Sequence, residues 1–165
     1  MSKYLDALIF DRVAADVQEL TDKAYIDYRD LNRIESAIKW VSYVLNKYGY
    51  RNVTDNKLNW KPEDRRTDRE MDRLRTNLIT IREAYYTLPS TPQTPEKITF
   101  ASVYQANFIE KIIFDIGDLI EKSFPGPYRL SFHLGKRTFG NRSINNMSLK
   151  TTYRDDKFQD AANTG

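Results

Sequence analysis

At 165 residues, 40% of them apolar and 30% charged, the chain has the size and composition of one globular domain with room for an appendage. It has no cysteine, which excludes disulfides, thiolate metal sites and cysteine nucleophiles. The net charge of +3 is unevenly placed: residues 128–165 hold seven Lys/Arg and three Asp, so +4, and residues 1–127 carry about −1. No apolar run approaches the roughly 18 residues of a membrane span. The N-terminal apolar stretch is too short for a secretory signal and soon meets Asp6 and Asp11. These features predict a soluble protein with no membrane association, made in the cytoplasm and basic mainly in its tail.

Residues 3–10 form a short apolar segment, extended or leading into a helix. Asp11 is placed to cap a first helix over 12–24, with Val13, Val17, Leu20 and Ala24 spaced 4-3-4. Tyr25 to Tyr28 then make a connection expected to pack on the body. The strongest signal follows. Leu31, Ile34, Ile38, Val41, Leu45 and Tyr48 step 3-4-3-4-3 along one face of a helix over 30–48. Asp30 is expected to cap it and Gly49 to end it in the left-handed conformation. Arg33, Glu35, Lys39 and Asn46 fall on the opposite, polar face.

The polar stretch after Gly49 contains Trp60, expected to anchor the loop on the core. Thr67 and Glu70 form a T-x-x-E capping box ahead of a helix over 68–87, with Met71, Leu74, Leu78, Ile81 and Tyr85 on one face. Prolines 89, 92 and 95 make residues 88–98 a stiff linker of polyproline-II type. Thr99 is expected to cap the last helix, over 99–122, where Ala106, Ile109, Ile113, Ile116 and Ile120 repeat the 3-4 step. Gly117 lowers helix propensity by roughly 1 kcal/mol relative to alanine and marks a close contact. Pro125-Gly126-Pro127 ends the helical region. Beyond it Tyr128, Leu130, Phe132 and Leu134 alternate with polar residues, the period of a strand. GKRTFGNRS is turn-like, and the remainder has too few apolar residues to fold alone.

Catalytic and ligand-binding patterns are not found. His133 is the only histidine, and its nearest partners, Ser131, Ser143, Asp155 and Asp156, lie in a tail unsuited to holding a triad. Asp27, Asp30, Glu35, Asp115, Asp118 and Glu121 lack the Glu-x-x-His pairing of a di-metal bundle, and read as solvated faces or caps. No glycine-rich phosphate loop occurs. No catalytic residue, metal or cofactor is assigned. The arginines at 65, 66, 69, 73, 75 and 82 interleave with acids and read as a surface laced with ion pairs. Lys136, Arg137 and Arg142, set among Phe132 and Phe139, make a basic arm suited to an acidic protein groove or to nucleic acid. Eleven tyrosines and eight phenylalanines suit a chain that packs against neighbours.

Three stretches taken in order, 8–17, 30–50 and 91–116, carry Asp11-Arg12, Asp30-Leu31-Asn32-Arg33-Ile34-Glu35, Thr94-Pro95 and Tyr104-Gln105-Ala106-Asn107, with Trp60 between them. The set resembles small proteins encoded in the tail modules of tailed bacteriophages and prophages. The resemblance covers about residues 5–120 and implies a non-enzymatic structural role in a virion, in tail, baseplate or neck, with other virion proteins as partners and a homo-oligomer within the particle. It does not extend over 128–165.

The sequence thus predicts an all-α, four-helix bundle-like body over 1–123 and an extended, partly β, basic C-terminal arm over 124–165. Tyr128, Leu130, Phe132, Leu134 and Phe139 are the expected docking residues. The alternatives are a phage-encoded nucleic-acid-binding or regulatory protein acting through the basic tail, and a tail-assembly chaperone.

Overall fold

The computed structural model describes residues 2–123 and the strand segments 132–134 and 137–139. Residues 1–123 form one unit and 124–165 a second. The first unit is helical: α1 (Lys3–Asp6), α2 (Ala14–Gln18), a 3₁₀ turn (Asp22–Ala24), α3 (Tyr28–Lys47), α4 (Asp68–Ala84) and α5 (Val103–Ser123). The three long helices pack against one another, and α1 packs on α3 and α5.

The stripe on α3 is the centre of the core. Leu31, Ile34, Ala37, Ile38, Val41 and Leu45 are buried against Leu74, Leu78 and Ile81 of α4 and the isoleucine row of α5. Such a stripe, covered on two sides, supplies the stability that the β-branched residues of α5 do not supply by propensity. Asp27, rather than Asp30, caps α3: its carboxylate accepts the N–H groups of Arg29 and Asp30, and Asp30 returns the bond to the N–H of Asp27. Burial pushes the Asp27 carboxyl upward, but hydrogen bonds from Arg29 and from these N–H groups outweigh it and hold it below the usual range. At the other end Gly49 has φ +90°, and the N–H groups of Gly49 and Tyr50 reach the carbonyls of Asn46 and Leu45. That pair of bonds is the glycine-dependent helix stop.

The helix expected over 12–24 is not one helix. It is the five-residue α2 and a 3₁₀ turn, separated by Leu20 at φ +53°. Asp11 does not cap it. Asp16 does so from inside, accepting the N–H of Val13 at 2.8 Å, and Asp11 pairs with Lys23. The cause is Arg12, whose Nε donates to the Lys23 carbonyl at 3.0 Å. A straight helix would hold residues 12 and 23 about 16 Å apart, so the segment must fold back. Tyr25, expected to pack, is 58% exposed.

Helix α4 ends at Ala84, three residues early, because Tyr85 turns to extended backbone and its ring meets Tyr50 edge-on at 4.7 Å. Helix α5 starts at Val103 rather than 99. Gln105 accepts the N–H groups of Thr99 and Phe100, holding Phe100 at φ +51°. The proline-rich crossing is tied down on both sides. The side chains of Arg75 and Arg82 donate to the carbonyls of Pro95 and Pro92, and Thr91 donates to buried Asp115. Arg75 and Arg82 therefore hold the connector rather than lace the surface.

Gly117 is a point of close approach. A β-carbon there would lie 2.6 and 2.9 Å from the methyl carbons of Leu5, which is itself 1% exposed. Gly117→Ala is expected to destabilise the protein by about 1–2 kcal/mol through overpacking. In a Leu5→Ala background it should become neutral or stabilising, as alanine's helix propensity is expressed. Urea unfolding of the four variants checks this; equal stabilisation in both backgrounds would contradict it.

In the second unit the described segments β1 (Phe132–Leu134) and β2 (Arg137–Phe139) pair antiparallel, with Phe132 opposite Phe139 and Leu134 opposite Arg137. Part of the stretch read as turn-like is thus the second strand.

Candidate functional site

Two carboxylates expected at the surface or overlooked are fully buried. Each is the hub of a lock that ties an irregular segment to the helices. Glu35 falls one turn after Leu31 and three residues before Ile38, so the α3 stripe carries it inward. Its oxygens accept from Trp60 Nε1 at 2.8 Å, from the N–H of Lys57 at 2.6 Å, and from both terminal nitrogens of Arg73 at 2.6 and 2.8 Å. Those four donors fill the accepting capacity of a carboxylate. Asn32 adds a two-way clamp on the backbone of Trp60. Trp60 thus anchors its loop as expected, and Glu35 is what fixes the indole. Arg73 also pairs with Glu70. Its guanidinium is raised above the usual arginine range, first by the hydrogen bonds to Glu35.

Glu110 is the second hub. It lies one turn after Ala106 and three residues before Ile113, again inside an apolar stripe. It accepts from Arg12 at 2.8 Å, from Arg33 at 3.0 and 3.4 Å, and from the N–H of Ile9 at 2.6 Å. Arg33 also reaches Asp30 at 2.6 Å, so two guanidinium groups face two carboxylates and the cluster is neutral. Arg12, with a side chain 1% exposed, further donates to the carbonyls of Ile9 and Lys23. Asn107 grips both backbone groups of Arg12, at 3.2 and 2.7 Å. Burial lowers the proton affinity of Arg33, but Glu110 and then Asp30 outweigh it and raise it. Asp115 is a further buried acid, held by Thr91 and Lys111. The reading of Asp30, Glu35 and Asp115 as solvated is corrected on these grounds: each is buried with donors directed at it.

What remains at the surface is of three kinds. A polar depression of about 530 Å³ is lined by Asp55, Asn56, Lys57, Arg69, Glu70 and Arg73. Its charges are mostly committed: Arg73 to Glu35 and Glu70, and Lys57 to Asp64. Arg65, Arg66 and Arg69 are exposed, and no ion pair is formed by them among the described residues. Exposed apolar residues include Val13, Val17, Leu20 and Tyr25 in one stretch and Tyr104 and Phe108 in another, with Val53, Tyr86 and Leu88 elsewhere. Among the described residues no group of three or more His, Cys, Asp or Glu side chains is placed to hold a metal ion. No described helix is long and apolar enough to cross a membrane.

Of the docking residues expected from the sequence, Phe132, Leu134 and Phe139 lie on the paired strands, as does Arg137 of the basic arm. Tyr128, Leu130, Lys136 and Arg142 lie outside the described residues. No family model, curated protein or solved structure matches this chain.

Proposed function

We propose that the chain is a non-enzymatic structural subunit of a phage virion, in tail, baseplate or neck. In this reading a rigid helical body presents an outer surface to neighbours, and an extended, partly β arm docks on an adjacent chain through Tyr128, Leu130, Phe132, Leu134 and Phe139. One observation carries the reading. Several of the residues behind the resemblance to phage tail-module proteins meet around the two buried hubs: Arg12 and Arg33 bind Glu110, with Asp30 on Arg33 and Asn107 on the backbone of Arg12, and Trp60 binds Glu35, with Asn32 on its backbone. Their polar chemistry is engaged in fixing the body's shape, which suits a part that must fit its neighbours reproducibly. The arm fits the same picture. A two-stranded ribbon with strands of three residues is marginal by itself and gains from pairing an edge with another chain.

The test is removal of residues 124–165. The truncated chain should keep its helical circular-dichroism signal and fail to enter particles when it replaces the full chain during phage assembly. Loss of the helical signal would sink the division into body and arm. Normal incorporation would sink the docking role of the arm.

A further inference from the structure

We infer that the outward face formed by α2 and the start of α5 is the seat for residues 128–142 of a neighbouring copy of this chain. The inference rests on the proposed role as an assembling subunit, and names the surface and its occupant.

Helix α2 has no buried residue, and Val13, Val17 and Leu20 are 52%, 46% and 67% exposed. Five residues are too few to be helical by propensity alone; the folded-back backbone around Arg12 holds them in place. The apolar face is not confined to α2. Tyr104 and Phe108 lie one turn apart on α5, each about half exposed, and Asn107 beside them clasps the residue that precedes Val13. The start of α5 is thus tied to the residue next to Val13.

The charge on this face narrows its partner. Asp11, Asp16, Glu19 and Asp22 belong to this segment; Lys23, the only solvent-facing cation of residues 11–23, offsets Asp11, and the charge of Arg12 is buried against Glu110, so the segment is net acidic at its surface. An acidic apolar face repels nucleic acid and anionic lipid, and favours a segment that is basic and apolar. Residues 128–142 are such a segment. They carry alternating apolar residues from Tyr128 to Leu134, then Phe139, together with Arg129, Lys136, Arg137 and Arg142, and no carboxylate. A contact between the arm of one copy and the body of the next is head-to-tail, so it builds a ring where the rotation closes and an open array where it does not.

The experiment uses the full chain in three forms: wild type, V17S/L20S on the face, and K136E/R137E/R142E on the arm. Val17 and Leu20 are exposed, so their replacement should leave the thermal melt unchanged. By sedimentation velocity the wild type should associate as concentration rises, and less so at high salt. Each variant alone should associate at least about tenfold more weakly. An equimolar mixture of the two should regain association as a 1:1 pair, because one supplies an intact arm and the other an intact face. The inference is overturned if the face variant associates like the wild type, if the mixture stays dissociated, or if the wild type stays monomeric, including with cross-links from its own arm to α2. None of these results removes the virion role, which fails separately if the chain is absent from particles.

Discussion

Replacing Glu110 with alanine is expected to cost about 3–5 kcal/mol of folding stability, the range for breaking one side of a buried ion pair. The carboxylate is fully buried and neutralises Arg12, whose side chain is equally sealed, with Asp30 at 3.6 Å as its remaining acid neighbour. Removing Glu110 leaves a guanidinium in the interior without its main counter-charge, and the N–H of Ile9 without an acceptor. The segment before α2 should loosen first, because Arg12 and Ile9 tie it to Glu110 of α5, leaving the Phe10–Phe114 contact and the Asn107 clasp. The additional replacement Arg12→Met should recover a large part of the loss, since an apolar side chain tolerates the same space without a counter-ion. Guanidinium unfolding of the two single variants and the double variant measures this. A loss below about 1 kcal/mol for Glu110→Ala would mean that the cluster is effectively solvated.

Glu35→Ala should have the next largest effect, about 2–3 kcal/mol. The cost is smaller because Arg73 is 17% exposed, keeps Glu70 and can turn toward water. The indole N–H of Trp60 and the N–H of Lys57 cannot do so. The effect should therefore be local: Trp60 should leave its buried site and the tryptophan emission should shift to the red, with the helical signal retained. Glu35→Gln keeps one acceptor for the indole and should shift the emission less. Unchanged emission in Glu35→Ala would show that Asn32 and packing alone hold the loop.

The parts of the fold that the sequence makes legible are those in which a local pattern decides the outcome. The α3 stripe, its glycine stop at Gly49, the α4 and α5 faces and the anchoring of Trp60 follow from spacing and side-chain size. The close approach at Gly117 follows from a glycine set on a bulky helix face. The first segment is different. Val13, Val17 and Leu20 have helical spacing, but the path of the chain is set by Arg12 reaching Glu110, a partner 98 residues away. Local periodicity holds no record of that pairing. The two hubs were partly legible. Glu35 and Glu110 each sit one turn after a buried residue and three residues before another, a position that predicts burial whatever the side chain. For Glu35, reading acids as solvated by type overrides that positional signal; Glu110 belongs to no motif that singles it out. The ends of α4 and α5 depend on Tyr85 finding Tyr50 and on Gln105 turning back, and neither contact is written in local propensity.

In the proposed role this chain is part of a finished particle. Mass-spectrometric protein counting on purified particles of the proposed parent phage or prophage tests this role. The chain is expected at a fixed, multi-copy stoichiometry relative to the other structural proteins. Its absence from particles, with clear expression in the infected cells, would overturn the structural role and favour an assembly chaperone or a nucleic-acid-binding protein.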